Sequence, residues 1–187
     1  MSIGERWRLF VAVDVPEPHL AAVADATAEL REKWPTARWI PIENQHVTLR
    51  FLGSTDLDLV PVVGKAMVEA ASGATPGAIS IEGAGAFPDL KRASVLWAGI
   101  DDPNAVLGGL VADLEPHFAA LGFESERRRY VPHLTLARFR APVRLDDPPL
   151  AIPATDPFPV EDVVLYRSHT SSKGARYEEL LRAPLHG

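Results

Sequence analysis

Hydrophobic and polar positions along the chain follow two periods, one typical of strands and one typical of helices. Residues 8–16, RLFVAVDVP, are rich in β-branched and aromatic side chains and predict a strand that Pro16 ends. Apolar positions then recur at helical spacing over residues 17–34, which predicts one amphipathic helix. An extended segment over residues 37–53 follows, and its second part alternates apolar and polar residues. The chain therefore begins with a predicted strand, a helix and a second strand.

The same patterning continues to the end of the sequence. Helices are predicted over residues 56–73 and 104–122, and strands over 77–87, 93–103, 130–140, 160–170 and 175–185. Six prolines between residues 141 and 160 exclude a helix there and predict a surface connector or an irregular sheet edge. This mixture of strands and helices predicts an α+β fold.

The chain contains an internal repeat with a spacing of 87 residues. At this shift HVTL at 46–49 falls on HLTL at 133–136, and Asp14 falls on Asp101. Each half therefore contains a strand, an Asp-x-Pro stop, a helix and a strand that carries His-x-Thr. We expect a bilobal, pseudo-twofold structure in which two antiparallel sheets flank a central groove. Residues 1–187 would form one domain made of two intertwined lobes.

Each His-x-Thr motif places two polar side chains on one face of its strand. His46 and Thr48 share a face because residues i and i+2 of a strand point the same way, and so do His133 and Thr135. Neither histidine nor threonine is a natural choice for an apolar core face. Across a groove, two imidazoles could donate and accept protons near neutral pH, and two hydroxyls could hold phosphate oxygens. The symmetric pattern leaves open which histidine donates.

Charge and composition narrow the range of functions. The 19 Lys and Arg residues against 25 Asp and Glu residues give a net charge of −6, which argues against a protein that coats long nucleic acid. A local pocket for one phosphate or one strand end stays possible. The chain has no cysteine, so disulfides, thiolate metal sites and a cysteine nucleophile are excluded.

A metal site is the main chemical alternative, because histidine is a common metal ligand. Two histidines leave such a site short of ligands, and the acidic pairs of the chain lie at apparent turns without ligand spacing. These pairs are Asp56/Asp58, Asp101/Asp102 and Asp146/Asp147. The sequence also lacks the Gly-x-Ser-x-Gly elbow of serine hydrolases. We therefore expect neither a metal nor a cofactor.

The paired motifs resemble the 2H phosphoesterase superfamily, and their surroundings resemble its RNA 2',3'-cyclic phosphodiesterase (2'-5' RNA ligase-like) branch. The matching segments are spread over nearly the whole chain and include RLFVAVDVP, WIPIENQHVTLRFLG, PHLTLARF and VVLYRSHT. The resemblance implies metal-independent hydrolysis of a 2',3'-cyclic phosphate at an RNA end to a 2'-phosphate. It implies that His46 protonates the departing O3' and that His133 activates water. Thr48 and Thr135 would hold the phosphate oxygens.

Four further residues near the motifs are candidate substrate-binding residues. Arg138 and Phe51 both lie five positions after a motif histidine. Arg138 could contact a phosphate or a sugar, or it could be a solvated charge at a strand end. Phe51 could stack on a terminal base, or it could belong to the core. Tyr130 and Arg50 are weaker candidates of the same kind.

Three other functions fit the same residues. A module that binds RNA ends without turnover would use the same groove, although binding alone does not require two proton carriers. Ligation of a 2'-5' linkage, formally the reverse reaction, or hydrolysis of small cyclic nucleotides would also use this set. The expected partners are RNA ends or nucleotides that carry a 2',3'-cyclic phosphate, with no obligate protein partner.

The apolar stretches of the chain are short. The run Leu9–Val13 is too short for the core of a signal peptide. No stretch approaches the ~18 consecutive apolar residues typical of a membrane span. We therefore expect a cytoplasmic protein that does not associate with a membrane.

Overall fold

The computed structural model describes residues 5–145, 151–171 and 174–186. In these residues the four helices are α1 (Glu17–Ala26), α2 (Ala28–Lys33), α3 (Val60–Ser72) and α4 (Val106–Ala120). The nine strands are β1 (Arg6–Asp14), β2 (Arg38–Trp39), β3 (His46–Asp56), β4 (Gly77–Phe87), β5 (Ala93–Asp101), β6 (His133–Val143), β7 (Phe158–Val160), β8 (Asp162–Ser171) and β9 (Gly174–Pro184). Short 3-10 helices lie before β3, at Ile42–Asn44, and before α3, at Leu57–Leu59.

The strands form one path of antiparallel neighbours in the order β7-β4-β5-β6-β3-β1-β8-β9, and β2 pairs with β6. The strands β3 and β6 share the fewest register pairs of all neighbours on this path, because only Val47 and Leu134 are paired between them. We call β3, β1, β8 and β9 the first half, and β6, β5, β4 and β7 the second half. The predicted α+β class with two antiparallel halves is confirmed.

The internal repeat is visible in the bounds of the strands. β5 starts and ends 87 positions after β1, and β6 starts and ends 87 positions after β3. The first six residues of β3 and of β6 also share one burial pattern: half-buried, buried, half-buried, buried, buried, exposed. The two His-x-Thr strands are therefore equivalent in position and in exposure.

Both His-x-Thr strands contain a one-residue irregularity after the threonine. The β1–β3 register skips Leu49, and the β5–β6 register skips Leu136. An extra residue reverses the alternation of faces beyond it, because side chains in a strand alternate with a period of two. The strict alternation expected through residue 51 is therefore wrong beyond the threonine. As a result, Phe51 and Arg138 lie on the same face as the histidines.

Helices α3 and α4 cover the face of the sheet opposite the histidines. α3 and α4 pack against each other, and α3 contacts β8 and β9 whereas α4 contacts β3 and β4. The buried side chains of α4 are Val106, Leu107, Leu110, Leu114 and Phe118, a stripe at helical spacing. This packing leaves the histidine face of the sheet uncovered by α3 and α4.

The helix expected over residues 17–34 is wrong as one element, because it is divided into α1 and α2 at Thr27. Thr27 is completely buried, and its hydroxyl donates to the Val23 carbonyl oxygen at 2.8 Å. A hydroxyl that binds the preceding turn competes with regular helix geometry. The helix expected over residues 104–122 starts at Val106, where the Asp102 carboxylate accepts hydrogen bonds from the Val106 and Leu107 amides.

The proline-rich segment ends in a short strand at the edge of the sheet, which agrees with the predicted irregular sheet edge. β7 pairs with β4, its Phe158 and Val160 are buried, and Pro159 between them is exposed. Residues 146–150, with the acidic pair Asp146/Asp147, lie outside the described residues. Among the helices of the described residues, none has the length and apolar character to cross a membrane.

Candidate active site

The two motifs meet where the halves of the sheet join. His46 and Thr48 flank Val47, His133 and Thr135 flank Leu134, and Val47 and Leu134 are the register pair between β3 and β6. Val47 and Leu134 are fully buried, whereas the four polar side chains are half-buried. The predicted histidines and threonines are therefore brought together at the centre of the molecule.

Both imidazoles are held by the same type of hydrogen bond. The Nδ1 atom of His46 lies 2.9 Å from the Asn44 carbonyl oxygen, and Nδ1 of His133 lies 2.7 Å from the Val131 carbonyl oxygen. A carbonyl oxygen can only accept, so Nδ1–H is the donor in each pair. Nε2 of each neutral ring consequently carries the free lone pair. This is the tautomer that a proton acceptor requires.

His46 lies among three aromatic rings. Its ring stacks on Phe10 with centroids 4.7 Å apart, and the ring of Tyr177 meets it edge-on at 5.1 Å. Tyr166 lies 6.1 Å away. Burial disfavours the imidazolium and lowers the pKa of His46 to about 4. In the absence of a bound anion, His46 is therefore neutral at physiological pH.

A carboxylate behind these rings acts in the opposite direction. Asp14 Oδ1 accepts a hydrogen bond from the Tyr166 hydroxyl at 2.7 Å, and Oδ2 accepts one from Arg182 at 2.6 Å. The negative charge of Asp14 raises the pKa of His46, although less than burial lowers it. Asp14 therefore supplies a negative charge that favours an imidazolium at His46.

The environment of His133 differs in charge. Its aromatic neighbours are Phe87, edge-on at 5.1 Å, and Trp97, tilted at 6.0 Å. Burial lowers the pKa of His133 more than the hydrogen bond to Val131 raises it, and the positive charge of Arg138 lowers it further. Both effects favour the neutral ring, so His133 retains the lone pair of a proton acceptor.

A cavity of about 400 Å³ opens on the histidine face. Five of the residues singled out from the sequence line it: His46, Thr48, Thr135, Arg138 and Phe51. Neither threonine hydroxyl has a hydrogen-bond partner among the described residues, so both are available to a ligand. His133 does not line this cavity; it lies two positions before Thr135 on the same strand face.

Phe51 and Arg138 occupy the groove for the same structural reason. Each follows the skipped residue of its strand, which turns it onto the histidine face. Phe51 is 64% exposed, which is unusual for a phenylalanine and contradicts the alternative of a core position. The exposed Arg138 has no carboxylate partner among the described residues.

Two substrate-contact candidates lie elsewhere, and the structure corrects both. Arg50 is buried on the helix side of β3, where its Nε atom pairs with Glu115 at 3.0 Å and Nη2 donates to the Glu124 carbonyl. The Tyr130 hydroxyl donates to the Thr48 carbonyl oxygen at 3.1 Å, and burial raises the pKa of this phenol. Arg50 and Tyr130 therefore brace the motifs, and neither lines the groove.

Several residues of the groove are not among those predicted from the sequence. Arg8, Arg38, Phe10 and Tyr177 all line it, and they come from β1, β2 and β9. Neither His-x-Thr motif includes them, and the register between distant strands brings them to the histidines. Within residues 5–145, 151–171 and 174–186, no group of three or more histidines and acidic residues is placed to hold a metal ion.

Known proteins similar to this chain share one family. Residues 15–171 match the family model of the 2'-5' RNA ligase superfamily. The chain is 28% identical over 186 residues to an RNA 2',3'-cyclic phosphodiesterase of Geobacillus stearothermophilus, with coverage of 98% of this chain and 59% of that protein. It is 32% identical over 142 residues to an RNA 2',3'-cyclic phosphodiesterase of Methanothermobacter thermautotrophicus, with 74% of each chain covered.

A solved structure extends the similarity to the fold. The crystal structure of TT0787 of Thermus thermophilus superposes with a TM-score of 0.78 at 28% identity, over 96% of this chain and 98% of that one. This chain thus spans less than two thirds of the Geobacillus relative but nearly all of the Thermus structure.

Proposed function

This chain belongs to the 2'-5' RNA ligase superfamily, and we propose that it hydrolyses 2',3'-cyclic phosphate ends of RNA to 2'-phosphates. The observation that carries the proposal is the duplicated His-x-Thr strand, with both histidines in one tautomer beside two free hydroxyls. The names of the two similar phosphodiesterases support the same reaction.

In the proposed reaction, water attacks the phosphorus of the cyclic ester while the bond from phosphorus to O3' breaks. The free Nε2 of His133 accepts the proton of the water, and Nε2–H of a protonated His46 donates a proton to O3'. Thr48 and Thr135 donate hydrogen bonds to the non-bridging oxygens, where negative charge develops. The products are a 2'-phosphate and a 3'-hydroxyl. These groups need no metal for proton transfer or for charge stabilisation.

The direction of proton transfer is supported by the charges behind the two rings. Asp14 favours the imidazolium of His46, and Arg138 favours the neutral ring of His133. Because burial keeps the pKa of His46 near 4, a second negative charge is needed before it can act as an acid. The anionic cyclic phosphate supplies that charge when it binds. Substrate binding would thus raise the pKa of His46, so that the ring takes up the proton that it later donates to O3'.

Phe51 and Arg138 complete the proposed binding site. The exposed Phe51 ring offers a face on which the terminal base can stack. The unpaired Arg138 guanidinium can contact the reacting phosphate or its ribose. The proposed partner is an RNA end rather than a long duplex, in keeping with the net charge of −6. We further propose a single two-lobed domain that acts in the cytoplasm.

The direct test is to supply a short RNA with a 2',3'-cyclic phosphate end in the presence of EDTA. We expect conversion to the 2'-phosphate. Mass and sensitivity to phosphatase identify the opened monoester, and chromatography against 2'- and 3'-phosphate standards identifies its position. Binding without product over long incubation would instead indicate an RNA-end-binding module. A rate restored only by a divalent metal would contradict the two-histidine mechanism.

A further inference from the structure

Three arginines converge on the groove, in a chain whose net charge is negative. Arg8 from β1, Arg38 from β2 and Arg138 from β6 line the same cavity as His46, and all three are exposed. No carboxylate of the described residues forms a salt bridge with any of them. In contrast, Arg182, outside the groove, pairs with three carboxylates.

The arrangement of two of these arginines is unfavourable without an anion. Arg38 and Arg138 are direct register partners across β2 and β6. Like charges opposite each other on neighbouring strands repel, and proteins usually avoid such pairs unless a counter-charge lies between them. The pair therefore indicates a place where a negative group is expected to bind.

The positions of the arginines separate them into two roles. Arg138 is close enough to His133 to lower its pKa, which places it beside the reacting centre. The Arg38 Nη2 atom lies 3.9 Å from the position of a Cβ at Gly174, so its guanidinium reaches the first residue of β9. Arg8 pairs in register with Ser168 on β8. Arg8 and Arg38 therefore share the wall of the groove that β8 and β9 form.

We propose that Arg8 and Arg38 form a second phosphate subsite, which binds the phosphate on O5' of the terminal nucleotide. The inference rests on the proposed function, because the cyclic phosphate must lie at the two motifs. The O5' phosphate is the other anionic group of that nucleotide, and it lies across the ribose from the cyclic phosphate. The motifs, Phe51 and this subsite then bind the three parts of one nucleotide: cyclic phosphate, base and 5' phosphate.

This subsite would favour substrates whose terminal nucleotide carries a phosphate on O5', either as the link to the rest of the RNA or as a free 5' phosphate. The test compares adenosine 2',3'-cyclic phosphate with the same compound that also bears a 5' phosphate, by kcat/KM at fixed ionic strength. Two charge-assisted contacts should favour the 5'-phosphorylated substrate by about 10- to 100-fold. The double variant Arg8→Gln/Arg38→Gln should bring this ratio close to one, and Arg8→Lys/Arg38→Lys should retain part of it.

Arg140→Gln is the matched control, because Arg140 is an exposed arginine of β6 that does not line the groove. It should leave the ratio unchanged. A parallel binding measurement compares adenosine 2'-phosphate with adenosine 2',5'-bisphosphate and does not depend on turnover. A ratio near one for the parent, or a parental ratio in the Gln double variant, would overturn the subsite. If neither cyclic substrate is hydrolysed, the proposed function fails, and the binding ratio still decides on the subsite.

Discussion

The first and second halves of the sheet present the same motif in opposite electrostatic surroundings. β3 and β6 share their length, the burial pattern of their first six residues and the position of their skipped residue. Both histidines bind a backbone carbonyl through Nδ1. Behind His46, however, lies the carboxylate of Asp14, and beside His133 lies the guanidinium of Arg138. The duplicated backbone thus supplies the same geometry in both halves, and we propose that the unshared residues around it give each half its own proton-transfer role.

Removing either histidine should produce the largest loss of kcat, because the half that carries it then has no group to transfer a proton. We expect His46→Ala and His133→Ala each to lower kcat by about 100- to 10,000-fold on an RNA 2',3'-cyclic phosphate. The double variant should be little worse than the single ones, because the two residues act in one step. Circular dichroism and melting temperature control for folding. A single variant that keeps the kcat of the parent would show that its histidine takes no part in proton transfer, and the two halves would then not be equivalent.

The threonines should rank second and should behave alike in both halves. Thr48→Val and Thr135→Val keep the side-chain shape but remove a hydrogen bond to the phosphoryl oxygens. A decrease in kcat of about 10- to 100-fold is expected for each, with a smaller change in KM, because the charge develops in the transition state. Thr→Ser at the same positions should restore most of the rate. A loss confined to one threonine would show that only one half contacts the phosphoryl group.

Changing Arg138 tests the charge that distinguishes the second half. Arg138→Gln removes the positive charge that lowers the pKa of His133, so that pKa should rise. A base acts when it is neutral, and the ascending limb of the rate profile should therefore move to higher pH. We also expect about a tenfold loss of kcat/KM from the lost contact to substrate. Arg140→Gln, on the same strand outside the groove, should leave the limb unmoved; an equal shift in both variants would contradict a local effect.

The smallest expected effect concerns Asp14 in the first half. Asp14→Asn removes a charge that raises the pKa of His46, so that pKa should fall. An acid acts when it is protonated, and the descending limb of kcat should therefore move to lower pH, by about one unit or less. Asp162→Asn is the control, because Asp162 also binds Arg182 yet does not perturb the pKa of His46. A descending limb that moves to higher pH, or that moves equally in both variants, would contradict the effect of the Asp14 charge on the pKa of His46.

The features that could be predicted from the sequence are those that follow from hydrophobic periodicity and from the internal repeat. The family, the α+β class and the paired placement of the motifs are confirmed, because hydrophobic alternation and the 87-residue repeat are properties of the chain itself. The roles of His46, His133, Thr48 and Thr135 in the reaction stay predictions.

What the sequence did not reveal depends on long-range register. A strict period of two placed Arg50 beside His46 and Thr48, but the skipped Leu49 turns Arg50 to the helix side and Phe51 to the groove. The sequence pattern identifies Asp14 only as part of an Asp-x-Pro strand stop. Its charge lies near His46 because Asp14 and His46 are register partners of β1 and β3. β8 and β9, which begin 148 and 160 residues after Asp14, bring Tyr166 and Arg182 to its carboxylate.

The division of roles between the two histidines is tested most directly by replacing the bridging O3' of the cyclic phosphate with sulfur. A thiolate leaves without protonation, so the reaction no longer needs a general acid. On this substrate we predict that His46→Ala regains a rate close to that of the parent, whereas His133→Ala stays slow. Recovery of His133→Ala instead would reverse the roles of the two halves, and recovery of neither variant would contradict acid catalysis by His46.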